Sequence, residues 1–185
     1  MFVIVHDSQL NPSWLTSKLI TGNLPQELTP LRTLGNWISC SPFPNDNKWL
    51  KAHDQTQCIT LTEQPSIETI EQLEKRLMSL ISGTKTPIIL LSGLNYLPIL
   101  LKCNNSDIIS LITRLQENTS QLIITSQDNN QYLTTLLHLA ECSVNLQPLA
   151  TGRAKDVDGW CTLDHKNGRW KARFKVNRDK DVFFI

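Results

Sequence analysis

Residues 145–163 read NLQPLATGRAKDVDGWCTL. The run sets Gly152, Arg153, Lys155, Asp156, Asp158 and Gly159 between two apolar segments that look like strands. By itself it suits four roles: a phosphate cradle, a metal site, a tight turn or a docking surface. The sequence on either side narrows the choice, because the chain changes character across this run.

Upstream, strand-like and helix-like periods alternate. Phe2–Val5 is a short continuous apolar run, as expected of a strand covered on both faces. Asn11 and Pro12 predict a helix N-cap followed by proline at the first helical position, with Leu15 and Leu19 on one face and Gly22 as the stop. Strands are expected near 36–39 and 57–62, separated by the loop-rich run SPFPNDNKWLKAHDQ. From Ser66 onward, Ile67, Ile70, Leu73, Leu77, Leu80 and Ile81 recur at helical spacing up to Gly83. PIILL at 87–91 predicts a buried strand, 106–117 a second amphipathic helix, and QLIIT at 121–125 another strand. A third helix of this group is expected over 131–140 and a strand over 142–146. Such alternation with short connections predicts an α/β fold, a mostly parallel sheet flanked by helices and joined by right-handed crossovers.

Downstream of Pro148 no helix period survives. Asn167 and Gly168 form the preferred dipeptide of a two-residue hairpin turn. On that basis 160–163 should pair with 170–176, and 182–185 should add a last strand. The chain is read as a single domain over 1–185, with an α/β core at 1–147 and a C-terminal antiparallel hairpin extension at 148–185.

With 185 residues, 40% hydrophobic and 19% charged, the chain has the make-up of one globular domain rather than a disordered polymer. The formal net charge of +1 hides an asymmetry: from Thr151 onward there are nine Lys/Arg against five Asp/Glu, so the rest carries a net of −3. A basic end on an acidic body points to a polyanion or an acidic partner at that end. Five cysteines without a CxxC pair fit free thiols in a reducing compartment. The opening apolar run is too short to span a bilayer and has no basic flank, which predicts a soluble, intracellular chain without a membrane partner.

A strand-first α/β order invites a nucleotide site just after the first strand, but the residues there are HDSQLNPSW. They include no glycine to fold a nest of N–H groups around phosphate and no lysine to reach it. None of the seven glycines belongs to a GxxxxGK or GxGxxG pattern, and the strand PIILLS ends in an uncharged serine where a magnesium-holding carboxylate would stand. No cofactor is expected. Cys161 and His165 share a C-x3-H spacing without a second pair to complete a metal site. His138 and Cys142, four residues apart, imitate a catalytic pair but have no third member. DVDG resembles the start of a calcium loop without its later ligands, so a turn at Asp158 and Gly159 is the simpler reading.

The segment WKARFKV carries more information. Trp170, Ala172, Phe174 and Val176 alternate with Lys171, Arg173 and Lys175, so a strand would present the three cations on one face. That face is either a solvated edge that discourages strand pairing or a short track for a phosphate backbone. Three phosphate contacts would give a salt slope of about −2 to −3, so useful affinity would need several copies in one assembly.

Taken together, 145–159, the hairpin and the terminal KVNRDKDVFF resemble the C-terminal signature of the Elongator complex protein 6 family. The resemblance rests on Pro148, Leu149, Thr151, Gly152, Ala154, Lys155, Asp156, Val157 and Gly159. It covers about forty residues closely and the rest of the chain in element order. It implies a RecA-like fold without nucleotide-binding motifs, and hence no enzyme activity. It implies assembly with Elongator complex proteins 4 and 5 into a hetero-hexameric ring that binds tRNA and serves the catalytic subcomplex in wobble-uridine modification. The implied location is the cytoplasm, with the nucleus as a second compartment. Arg153 and Lys155, together with Lys171, Arg173 and Lys175, are the residues expected to face RNA or a ring neighbour. Two other classes stay open at this point: a small transferase-like α/β enzyme, and a monomeric adaptor that binds protein through Trp37, Phe43 and Trp49.

Overall fold

The structure, a computed structural model, describes residues 1–7, 10, 12–31, 35–44, 56–150, 156–177 and 182–185. In chain order the elements are β1 (Phe2–His6), α1 (Ser13–Thr21), β2 (Asn36–Ser41), β3 (Thr56–Thr60), α2 (Ile70–Ser82) and β4 (Pro87–Ser92). They continue with α3 (Leu97–Leu101), α4 (Asn105–Asn118), β5 (Gln121–Gln127), α5 (Leu133–Leu139), β6 (Cys142–Pro148), β7 (Gly159–His165), β8 (Gly168–Val176) and β9 (Val182–Phe184). They fall into two compact units, Met1–Thr33 with Thr125–Ile185, and Leu34–Ile124.

In the first unit the strand order is β1-β6-β7-β8-β9. β1 runs parallel to β6, from Phe2 opposite Cys142 to His6 opposite Leu146. Val3, Ile4 and Val5 are all buried, which explains why β1 is apolar from Phe2 through Val5 rather than at alternate positions. β6, β7, β8 and β9 are antiparallel neighbours, the expected C-terminal extension. α1 buries Trp14, Leu15 and Leu19 and stops at Gly22, whose φ of +71° suits a residue without a Cβ. The helix begins one residue later than expected. Pro12 occupies the cap position, where its missing N–H costs nothing, and Asn11 lies outside the described residues. α5 also starts late, because the Asn130 side-chain oxygen accepts from the Tyr132 N–H at 2.9 Å and holds 130–132 in a turn.

The hairpin corrects the expected turn. His165 pairs directly with Gly168, so the two loop residues are Lys166 and Asn167 rather than Asn167 and Gly168. Gly168 opens β8 at a φ of +141°, while neither loop residue has positive φ. The glycine thus takes up the unusual dihedral just after the turn instead of inside it.

In the second unit β2 lies between β3 and β4, parallel to both, and β5 follows β4 in the order. α2 begins at Ile70, not near Ser66. The Thr69 hydroxyl accepts from the Gln72 N–H at 3.4 Å, and the Gln72 side chain accepts from the Thr69 N–H at 3.1 Å, a reciprocal cap. Ile67 is buried from the preceding turn, which extends the apolar spacing without extending the helix. Asn104 and Asp107 cap α4 in the same reciprocal way. Glu74 of α2 and Arg114 of α4 pair at 2.6 Å across the two helices. β3 ends at Thr60, and Leu61–Glu63 form a 3-10 turn where strand was expected to run on. The connection after β4 holds a 3-10 turn at Leu94–Tyr96 and the short α3, neither of which has a clear sequence period. Among the described residues no helix is long and apolar enough to cross a membrane.

Candidate nucleic-acid interface

The β7–β8 register decides which side chains share a face. Trp160 stands opposite Arg173, Thr162 opposite Lys171 and Asp164 opposite Arg169. Directly paired residues project to the same side of a sheet, so these residues and Lys175 line one face. Lys171 and Arg173 are exposed and Lys175 is half-buried. On the reverse face Phe174 is buried with its ring 5.5 Å from that of Trp14 in α1. Trp170, also on that face, meets Phe184 edge-on at 4.9 Å. The apolar half of WKARFKV therefore anchors β8, which leaves the cations outside.

The cations differ in their partners. Arg169 forms a two-bond pair with Asp164, and Lys175 reaches Asp158 at 3.4 Å. Lys171 lies over the Trp160 ring with its Nζ 4.7 Å from the centroid, and the Arg173 guanidinium lies 6.0 Å from it. Both contacts fall within cation–π range. Among the described residues neither Lys171 nor Arg173 has a carboxylate partner, so their charge is available to an anion. β9 widens the face: Phe183 pairs with Lys175 and is 57% exposed, and Ile185, whose N–H donates to the Arg173 carbonyl, is 59% exposed.

The opening sequence stretch acts as a turn at its described end. Asp158 accepts from the Val176 N–H at 2.7 Å and its own N–H donates to the Phe174 carbonyl at 2.8 Å. Gly159 starts β7 against β6, where a Cβ would come within 2.3 Å of the Gln147 carbonyl oxygen. Only glycine fits that approach. Arg153 and Lys155 lie outside the described residues, so of the five expected contact residues the structure brings together Lys171, Arg173 and Lys175. Sequence reading missed Arg169, Trp160 and Phe183. Arg169 continues the same period-two pattern and was legible; the other two depend on cross-strand register.

The other chemical candidates resolve geometrically. Cys161 and His165 stand on a strand, where four residues span about 13 Å, so their spacing cannot chelate one ion. His138 is exposed whereas Cys142 is buried, and burial together with Asp164 pushes that thiol up to about 11. A neutral thiol of this kind is a poor nucleophile near pH 7. Trp37 is buried and Phe43 is exposed against Tyr96, at 5.0 Å edge-on, which divides the aromatic set of the adaptor reading; Trp49 lies outside the described residues.

At the end of β1, the Asp7 N–H donates to the Leu146 carbonyl at 3.2 Å and its carbonyl accepts from Leu10 at 3.0 Å. Ser8 and Gln9 lie outside the described residues. At the end of β4, the Ser92 hydroxyl donates to the Cys40 carbonyl at 3.5 Å.

No protein-family model matches the chain. No curated protein matches it either. Solved structures do. The flagellar accessory protein FlaH from Methanocaldococcus jannaschii superposes with a TM-score of 0.63 at 11% identity, over 100% of this chain and 88% of that one. The fold is RecA-like. The KaiC-like protein PH0186 from Pyrococcus horikoshii OT3 agrees, with a TM-score of 0.63 at 8% identity over the same shares. Full coverage of the chain by RecA-like neighbours accounts for the antiparallel strands after β6 as well as for the strand and helix order before them. At such low identity the likeness carries the fold alone.

Proposed function

We propose that this chain is a non-catalytic, RecA-like subunit of the Elongator accessory ring, assembling with Elongator complex proteins 4 and 5 into a hetero-hexamer and contributing to tRNA binding. One observation carries the reading: a RecA-like chain in which the segment after β1 has neither glycine nor lysine, joined to the 148–159 signature. Without glycines the backbone cannot turn its N–H groups onto a phosphate, and without lysine nothing neutralises one. Pro12, at the cap of α1, removes a further N–H from the helix end where phosphate would bind. Ser92, whose hydroxyl is turned to a backbone carbonyl, offers no charge for magnesium. Such a chain contributes by assembling rather than by turning over nucleotide.

Co-expression with the two related subunits tests the proposal. The expected product is a stable particle of six subunits by native mass spectrometry, with this chain present in every particle. A chain that stays monomeric beside both partners would return the choice to the adaptor.

A further inference from the structure

We propose that the outer face of β7–β8–β9 binds an unpaired, single-stranded stretch of RNA, with backbone phosphates along β8 and a base stacked on the exposed ring of Phe183. The idea takes from the preceding reading only that the partner is RNA; the rest stands on the geometry of this face. Lys171, Arg173 and Lys175 recur at every second residue of one strand, so they form a straight row with a step of about 6.6 Å. A single strand can lie along a straight row, whereas the phosphates of a duplex curve away from it. Phe183 flanks that row on β9 with its ring exposed, while Trp160 on β7 is half-buried beneath Lys171 and Arg173. Bases of any identity stack on an exposed ring, and guanidinium planes join them.

Charge and exposure favour this occupant. Among the described residues, the carboxylates on the face, Asp158 and Asp164, are taken by Lys175 and Arg169. Lys171 and Arg173 at the centre are held over a ring, which orients them without neutralising them. Phe183, more than half exposed beside Lys175, has no role in the packing of Phe174 or Trp170 on the reverse face. A duplex offers little to this face, because A-form RNA hides its base faces within the stack. An acidic protein segment would use the cations but gain less from a ring set to receive a flat base.

Fluorescence anisotropy at low salt, with the full chain alone and in its co-expressed assembly, tests the assignment. The probes are a labelled oligouridylate of about ten nucleotides, the same length of perfectly paired RNA, and a polyglutamate competitor. The single strand should bind about tenfold or more tighter than the duplex. Phe183→Ala should weaken single-strand binding by about fivefold or more and leave duplex binding and the circular dichroism spectrum unchanged. Lys171→Ala with Arg173→Ala should reduce the salt slope by about two. Three results would each overturn the proposal: no binding of the single strand at low salt, equal affinity for both RNAs, or indifference to Phe183→Ala. A further one, polyglutamate displacing RNA at equal charge concentration, would assign the face to an acidic protein. The outcome separates from that of the ring: an assembly that forms but ignores Phe183→Ala sinks only this inference. A chain that joins no ring yet stacks RNA on Phe183 sinks only the ring.

Discussion

Cys161 shows how much a single residue depends on its setting. It sits opposite Leu146 and Ala172 on the buried side of β7, and burial pushes its thiol up to about 12; Cys40 reaches about 12 for the same reason. An unfolded thiol releases its proton near the ordinary value of 9.0, while the folded one holds it. Above that value the unfolded state binds fewer protons, so stability falls as pH rises and levels off only past the folded values of about 11 to 12. Each thiol contributes at most about 1.4 kcal/mol per pH unit in that window. Urea midpoints measured between pH 8 and pH 10.5 should therefore drop more gently in Cys161→Ala than in the parent. Parallel profiles would show that the thiol ionises alike in both states. At this scale the sequence was informative about Lys171, Arg173 and Lys175, whose alternation is local, and uninformative about Trp160, whose partner lies thirteen positions away along the chain.

Among the elements, the β6–β7 junction leaves no room for a side chain at Gly159. Gly159 pairs with Pro148 at one end of the ladder, and a methyl group there would push against the Gln147 carbonyl. Gly159→Ala should cost about 2–3 kcal/mol, read from denaturant unfolding, since backbone rather than a flexible side chain must give way. A loss below about 0.5 kcal/mol would mean that the strands separate easily at that end. Helix starts were legible to within a few residues, and the misses share a cause. Thr69 with Gln72, and Asn130 with Tyr132, use side-chain hydrogen bonds to set where a helix begins, and apolar spacing does not report them. The hairpin missed by one residue for a similar reason: β7 and β8 take their register from seven paired positions and their packing, and the turn dipeptide yields to it.

For the whole molecule, the decisive property is a RecA-like fold on a sequence with no GxxxxGK or GxGxxG pattern. For a non-catalytic subunit, saturating Mg-ATP should leave the melting temperature unmoved, because a ligand that does not bind the native state cannot stabilise it. A shift of several degrees would place a nucleotide site somewhere in this chain and count against the non-catalytic subunit.

Order of the main strands and helices, the apolar run at Phe2–Val5, the change of period after Pro148 and the lack of a GxxxxGK or GxGxxG pattern were legible in the amino-acid sequence alone, because each is written in residues close together in the chain. Which rings stand beside which cations was decided only in three dimensions. Trp160, Arg173, Phe183 and Lys175 become neighbours through the pairing of separate strands, and pairing depends on register, which packing of the buried face settles.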